Sequence, residues 1–149
     1  MINTQIKIKK LSPDAQIPRY MTSGAAAMDV YSFIEEQITI NPGERKLIST
    51  GFAVQTQPGF AAILCARSGL ASKNGISLAN GIGVIDSDYT GEVKVALINN
   101  SDTPFVVENG MRIAQMMIIP VASAEIVEVQ ELCKTDRGDG GFGSTGVNL

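Results

Sequence analysis

Histidine and tryptophan are absent from this 149-residue sequence, and cysteine occurs only twice. Without histidine, the chain cannot build the common histidine-containing zinc sites, a Ser-His-Asp triad or a Cys-His pair. Any catalysis must therefore use carboxylates, hydroxyl groups, Arg, Lys and backbone amides. Cys65 and Cys133 do not form a CxxC motif, so we expect two free thiols rather than a disulfide.

Excess positive charge and long apolar runs are also lacking. The 12 Lys and Arg residues face 15 Asp and Glu residues, for a net charge of -3 and a pI of about 4.9. No block of basic residues could follow a nucleic-acid backbone. The N-terminus has no apolar signal region, and no segment approaches the roughly 18 apolar residues of a membrane span. We therefore expect a soluble, cytoplasmic protein that binds neither nucleic acid nor membranes.

What is present is a large apolar fraction, 44%, arranged mainly in alternating runs. Such a chain can bury the core of one domain. Alternation or short runs rich in Val, Ile and Phe predict strands around Ile6 and Ile8 and over residues 47–54, 60–64, 92–98 and 111–119. Turn signals such as Asn41-Pro42-Gly43 and Asn109-Gly110 separate these runs. The spacing favours an antiparallel sandwich or barrel over a βαβ array.

Two segments depart from this alternation. Residues 68–75 begin with a Ser that could cap a helix and end with a Gly that could stop one, which predicts a short helix. Residues 136–149 hold five of the 15 glycines and few large apolar side chains. We therefore predict a mostly β domain over residues 1–135, an antiparallel β-sandwich or distorted jelly-roll barrel with one short helix. A flexible, glycine-rich C-terminal arm follows over residues 136–149.

The glycine-rich arm imitates two phosphate-binding motifs without matching either. Its RGDGGFGSTG sequence lacks the strand and helix that must flank a dinucleotide fingerprint, and Ser144 stands where a P-loop has Lys. Bare glycine amides, with Arg137, Ser144 and Thr145 as further donors, could still surround an anion. The segment is either a flap that binds phosphate or an unstructured tail.

Two further clusters carry polar chemistry. Asp86 and Asp88 would share one face of a β segment, so they could form a metal site, a base with a structural partner, or a polar turn. Arg67, Ser68 and Gly69 precede or open the predicted helix. They could hold an anion there, or they could belong to an ordinary capped helix with a surface Arg.

Together these segments resemble the trimeric dUTP pyrophosphatases (dUTPases), whose five motifs occur here in order. The five matching segments are AAAMDV at 25–30, RSGLA at 67–71, GVIDSDYTG at 83–91, GMRIAQ at 110–115 and RGDGGFGSTG at 137–146. The resemblance extends from about Lys7 to Gly146. Any one motif alone would be weak evidence, whereas five in order are specific.

The resemblance implies a dUTP diphosphatase, an enzyme that hydrolyses dUTP to dUMP and pyrophosphate with Mg²⁺. This activity limits uracil in DNA and supplies dUMP for thymidylate synthesis. Asp86 would be the general base that directs water at the α-phosphorus. The substrate phosphates would hold most of the magnesium coordination, and Asp29 would contact the metal through water. The family forms homotrimers in which neighbouring subunits share each active site.

The resemblance also implies roles in substrate binding. Tyr89 would lie under the deoxyribose and exclude a 2′-hydroxyl, and Lys94 would be a further substrate contact. Uracil would be recognised by Asn80 and by backbone groups of Gly83, Val84 and Ile85. The phosphates would bind Arg67, Ser68, Gly69 and Gln115, together with Arg137, Gly143, Ser144 and Thr145 from the arm, while Phe142 would cover the base.

Two alternatives remain beside this interpretation. A dCTP deaminase-type relative shares the fold but requires a Glu-based proton shuttle, and Asp86, Tyr89 and the complete fifth motif argue against it. A nucleotide-binding regulatory module would bind nucleotide without turning it over. An assay of pyrophosphate release from dUTP and the common dNTPs would separate these functions.

Overall fold

A computed structural model of the chain describes residues 4–141, which form ten strands and one helix. The strands are β1 (Lys7–Lys10), β2 (Met28–Tyr31), β3 (Ile38–Ile40), β4 (Arg45–Gln55), β5 (Phe60–Cys65), β6 (Ile76–Leu78), β7 (Gly83–Ile85), β8 (Glu92–Asn99), β9 (Phe105–Val107) and β10 (Arg112–Pro120). The helix α1 (Ser68–Asn74) lies between β5 and β6. The prediction of a mostly β protein with one short helix is confirmed.

The described strands form three antiparallel sheets. One has the order β1-β4-β8-β6, the second has the order β2-β10-β5-β7, and β3 pairs with β9. Neighbours in a sheet are often distant in sequence, as in β2 beside β10, so the chain crosses repeatedly between layers. This non-local pairing gives the predicted antiparallel architecture of a jelly-roll type.

The core lies between the inward faces of the two larger sheets. In β8, the side chains of Val93, Val95 and Leu97 are buried, while Lys94 between them is exposed. This is the period of two that the sequence displays, because successive side chains of a strand point to opposite faces. Phe52 from β4 and Met116 from β10 fill the same core and are fully buried.

Helix α1 begins and ends close to its predicted limits. Its N-cap is Arg67, which makes no side-chain capping hydrogen bond, so Ser68 is the first helical residue rather than the predicted cap. Gly75 ends the helix with φ +67°, a left-handed conformation that favours glycine. The hydroxyl group of Ser68 is therefore not used to cap the helix.

The chain leaves the sheets after β10. Residues 121–141 contain no helix or strand, and residues 121–139 are exposed. Large apolar side chains lie in this segment, among them Ile126 and Leu132, which are 94% and 87% exposed. The domain boundary at residue 135 stays a prediction.

Two smaller expectations concern the thiols and the membrane. Cys65 is partly buried and Cys133 is exposed, and both are free thiols. Among residues 4–141, no helix has the length and apolar character needed to cross a bilayer.

Candidate active site

A cavity of about 360 Å³ opens between β7 of one large sheet and β8 of the other. Seven residues singled out from the sequence line it: Asn80, Gly83, Val84, Ile85, Asp86, Tyr89 and Lys94. Apolar side chains of neighbouring strands, including Leu64 and Leu78, complete the wall. The fold thus brings a predicted base, a predicted sugar contact and predicted uracil contacts to one place.

Strand β7 presents its backbone at the edge of a sheet. It pairs with β5 through Ile63 opposite Val84 and has no second strand neighbour within the described residues. Gly83 permits this pairing at close range, because an added Cβ would lie 3.1 Å from the Cβ of Leu64. The outer edge of β7 therefore offers backbone donors and acceptors that no strand uses.

Asp86 directly follows β7, at a turn closed by a hydrogen bond from the Tyr89 amide to the Asp86 carbonyl oxygen over 3.2 Å. Its side chain is exposed in the cavity wall. Between residues 4 and 141, no side-chain hydrogen bond or ion pair engages its carboxylate. The carboxylate is therefore available to bind water. Asp88 is also exposed but is not part of this wall.

The ring of Tyr89 is fixed through its hydroxyl group, and much of the side chain is exposed. Its hydroxyl group donates to the carbonyl oxygen of Glu92 over 2.9 Å, and the side chain remains 47% exposed. The ring lies close to Gly91, where an added Cβ would be 2.6 Å from the Tyr89 hydroxyl oxygen. A flat surface in a fixed position suits contact with a sugar ring.

Glu92 is a cavity residue that the sequence reasoning did not single out. One carboxylate oxygen accepts a hydrogen bond from the Gly51 amide over 3.0 Å, and the other lies 3.6 Å from the ammonium group of Lys94. The carboxylate thereby joins β8 to an irregular part of β4 and orients Lys94. Its position immediately after the third motif is the one feature of the sequence that could have indicated Glu92 as a cavity residue.

A second cluster surrounds Asp29, whose side chain is almost completely buried. Its Oδ2 accepts a hydrogen bond from Arg112 Nη1 over 3.1 Å, and its Oδ1 accepts one from Gln115 Nε2 over 3.2 Å. Arg67 Nε lies 3.5 Å from Oδ1, an ion pair without a hydrogen bond, and Arg67 Nη1 donates to the Arg112 carbonyl oxygen. Buried carboxylates require such partners.

Arg112 was missed as a site residue, although it lies in the fourth motif. It holds Asp29 from the neighbouring strand β10 and supplies the carbonyl oxygen that fixes Arg67. Two guanidinium groups and one amide therefore share a single carboxylate, which leaves donors for an external anion. We call Arg67, Arg112 and Gln115, with Asp29, the arginine wall.

The arginine wall does not belong to the β7 cavity. In the shared sheet, Gln115 of β10 lies opposite Cys65, and Ile85 of β7 lies opposite Ala62. Three residues along β5 and two strand spacings separate the two positions by about 14 Å, from about 3.3 Å per residue and about 4.8 Å per strand. Ser68 and Gly69, both exposed at the start of α1, are also absent from the cavity wall.

The C-terminal arm is only partly described. The guanidinium group of Arg137 donates from Nε to the Gly140 carbonyl oxygen over 2.7 Å, a contact inside the arm itself. The structure thus brings Arg137 to neither cluster. The predicted contacts Phe142, Gly143, Ser144 and Thr145 lie outside the described residues.

The described residues offer few oxygen ligands for a metal ion. No group of three or more His, Cys, Asp or Glu side chains that could hold a metal occurs over residues 4–141. The oxygens of Asp29 face nitrogen donors, and the carboxylate of Asp86 stands alone. This donor set suits a cation that arrives with a polyphosphate more than one held by protein ligands.

An open antiparallel β fold, with a cavity at an edge strand and a separate arginine wall, suits the binding of an anionic ligand such as a nucleotide. The dUTPase family model matches residues 13–146. The chain therefore belongs to the dUTPase family.

Relatives agree with this assignment over almost the full chain. The chain is 53% identical over 142 residues to the deoxyuridine 5′-triphosphate nucleotidohydrolase of Nautilia profundicola, with 95% of this chain and 99% of the relative covered. It is 49% identical over 143 residues to the protein of the same name from Hydrogenobaculum sp. strain Y04AAS1, with coverages of 96% and 99%. The Staphylococcus bacteriophage 80alpha dUTPase with dUPNHPP is 28% identical, with a TM-score of 0.88 and coverages of 97% and 100%.

Proposed function

We propose that this protein is a dUTP diphosphatase that hydrolyses dUTP to dUMP and pyrophosphate. One observation carries the proposal: the predicted base, sugar and uracil contacts of a dUTPase all line one cavity. Family membership and the curated relatives named deoxyuridine 5′-triphosphate nucleotidohydrolase support the same substrate. In a cytoplasmic setting, the reaction would lower dUTP and supply dUMP for thymidylate synthesis.

Asp86 is the general base of the proposed reaction. Its unpaired carboxylate orients a water molecule and accepts a proton as the water oxygen bonds to the α-phosphorus. The bond between the α-phosphorus and the α,β-bridging oxygen breaks, and pyrophosphate leaves with the electron pair of that bond. A carboxylate is a weak base, so the advantage comes from positioning the water rather than from basicity.

Uracil recognition uses the outer edge of β7. Fixed backbone groups of Gly83, Val84 and Ile85, with the side chain of Asn80, pair with the edge of the base. Cytosine carries an amino donor where uracil has a carbonyl acceptor. The dCTP base would therefore leave cavity donors unpaired, which is costly in a partly buried site. Tyr89 lies under the deoxyribose and excludes UTP by bulk.

The arginine wall binds the phosphates in this proposal. Arg67 and Gln115, with Ser68 and Gly69, supply donors, and Lys94 is a further contact from the cavity wall. Mg²⁺ bound together with dUTP would neutralise part of the phosphate charge. Asp29 orients the wall and would contact the metal only through water.

The separation of the two clusters supports a homotrimer with shared sites. The β7 cavity holds the base and the water in this proposal, whereas the arginine wall lies about 14 Å away along the same sheet, from strand geometry. Cyclic association of three copies would place the wall of one subunit against the cavity of the next. The arm, with Arg137, Phe142, Gly143, Ser144 and Thr145, would then cover the completed site.

Mixed oligomers test the shared site directly. Asp86→Asn and Arg67→Ala chains carry different affinity tags, are co-expressed, and mixed species are isolated by both tags. Each parent variant alone should be nearly inactive. Any mixed trimer contains one junction between an intact Asp86 and an intact Arg67, so about one third of the activity of the unsubstituted protein is expected. Mixed species with no more activity than either variant would show that each site lies within one chain.

A substrate panel separates the proposed activity from its alternatives. The purified chain is incubated with dUTP, dCTP, the other dNTPs and UTP in the presence of Mg²⁺, and both pyrophosphate and ammonia are measured. We expect pyrophosphate from dUTP alone. Ammonia from dCTP would indicate a deaminase, and dUTP binding without turnover would indicate a regulatory module.

A further inference from the structure

We propose that Gly91 is a specificity-determining residue, because its missing side chain sets the position of the Tyr89 ring. The inference rests on the proposed role of Tyr89 as the sugar gate and extends it to a residue that does not touch substrate. Gly91 is thus a positioning residue.

A side chain at position 91 would collide with the ring of Tyr89. An added Cβ would lie 2.6 Å from the Tyr89 hydroxyl oxygen, 2.8 Å from Cζ and 3.1 Å from Cε2. Carbon atoms approach to about 3.5 Å at best separation, so the far end of the ring would have to move by several tenths of an ångström or more. The backbone at Gly91 is not in the left-handed region, and the three nearest atoms that an alanine Cβ would meet all belong to Tyr89.

The movement would also break the hydrogen bond that fixes the ring. The Tyr89 hydroxyl group donates to the Glu92 carbonyl oxygen over 2.9 Å. Glu92 begins β8, and its carboxylate is bound to the Gly51 amide in β4. The acceptor is therefore anchored to the sheets, while the Tyr89 hydroxyl group would be displaced away from Gly91.

A displaced ring harms dUTP more than UTP. In the parent protein, the fixed ring contacts deoxyribose and collides with a 2′-hydroxyl. When the ring is pushed away from Gly91, it leaves the position in which it contacts deoxyribose, and that favourable contact is lost. UTP is already excluded, so its low kcat/KM changes little. The discrimination between dUTP and UTP therefore decreases because kcat/KM for dUTP decreases.

The test compares Gly91→Ala with Gly24→Ala in the full-length protein. Gly24 lies in open space without left-handed backbone, so its variant controls for the change from glycine to alanine. For Gly91→Ala we expect the ratio of kcat/KM for dUTP to that for UTP to fall about tenfold, mainly through a higher KM for dUTP. The melting temperature should stay near that of the parent, because an exposed ring can move. Gly24→Ala should match the parent in all three measurements.

A double variant shows whether Gly91 acts through the ring. In the Tyr89→Ala background, Gly91→Ala should change neither the ratio nor the melting temperature, because the colliding atoms are gone. If Gly91→Ala lowers the melting temperature, the loss should disappear in the double variant. A loss that persists there would mean that the backbone rejects the Cβ, and it would overturn the inference.

The experiments distinguish failure of the inference about Gly91 from failure of the proposed role of Tyr89. If Tyr89→Ala relaxes discrimination and Gly91→Ala does not, the inference about Gly91 is wrong and the gate stands. If the parent hydrolyses dUTP but Tyr89→Ala leaves the ratio unchanged, the gate itself is wrong, and the inference falls with it.

Discussion

Arg112 donates a hydrogen bond from Nη1 to Oδ2 of Asp29 over 3.1 Å and thereby connects two residues that lie 83 positions apart. The two residues belong to the paired strands β10 and β2. Asp29 is buried, whereas the side chain of Arg112 is 44% exposed. The arrangement uses a buried negative charge to hold a cation at the surface, where an anionic ligand can reach it.

Asp29→Asn should weaken both stability and phosphate binding. The variant keeps the side-chain shape but removes the charge, and its amide group would face nitrogen donors. Loss of this charged network should lower the free energy of unfolding by about 1–2 kcal/mol. The decrease is modest because solvent screens the partly exposed Arg112. Urea unfolding should show that decrease, and the KM for dUTP should rise about tenfold as Arg67 and Gln115 lose their anchor.

Asp102→Asn is the matched control for this variant. Asp102 is exposed and has no ion pair within residues 4–141. Its substitution should leave both measurements at the parental values. An Asp29→Asn protein with parental KM would show that the arginine wall does not bind substrate.

Asp86→Asn should remove catalysis and leave binding almost intact. The amide cannot accept the proton from the attacking water, and the loss of a general base costs about 10²–10⁴-fold in turnover. Single-turnover rates and the affinity for dUTP are measured separately. Asp88→Asn is the control, since Asp88 is two residues away, exposed and outside the cavity wall. Equal losses in the two variants would assign the base elsewhere.

The long strands and the helix were predictable because their signals are local. Strand β8 displays alternation over Glu92–Asn99, and α1 ends at the Gly75 that the sequence indicated. Strands β3, β6, β7 and β9 have three residues each, too few to display a period. Their conformation depends on partners such as β5 for β7, which only the folded chain supplies.

For the candidate site, the sequence indicated residues within the motifs but not the contacts between distant strands. The third motif indicated Asp86 and Tyr89, and both line one cavity in the structure, while their roles stay predictions. No local pattern pairs Arg112 with Asp29 or Glu92 with Gly51, because these contacts depend on strand register. The Ser68 cap was wrong, since helix propensity alone does not determine whether Arg67 or Ser68 occupies the N-cap.

Two glycines with left-handed backbone should differ sharply when changed to alanine. Gly59 has φ +83° and open space around it, so Gly59→Ala carries only the conformational cost, about 1–2 kcal/mol. At Gly51, φ is +70° and an added Cβ would lie 2.7 Å from Ala15 Cβ and from Phe33 Cδ1. Overpacking should add about 1–3 kcal/mol. Urea unfolding compares the two variants, and equal losses would show that the packing around Gly51 yields freely.

Truncation after Cys133 should leave a folded protein that hydrolyses dUTP poorly. The last strand ends at Pro120, so the truncated chain retains all ten described strands and the core. It loses Arg137 and the glycine-rich fifth motif, which the proposed function places over the substrate. Closing such a lid orders several residues at about 1–2 kcal/mol each, so a ligand with several charged contacts is needed to hold it. Circular dichroism and thermal unfolding check the fold, and steady-state kinetics check the activity.

Mixing then tests which subunit supplies the arm. The truncated chain has an intact Asp86, and full-length Asp86→Asn has an intact arm, so a mixed trimer can place an intact arm over an intact Asp86 of another subunit. Activity should return in doubly tagged mixed species and be absent from a mixture of truncated chain with truncated Asp86→Asn. If mixed species form and no activity returns, each arm serves its own subunit. Every chain with an intact Asp86 is truncated in this mixture, so a site that uses the arm of its own subunit stays incomplete.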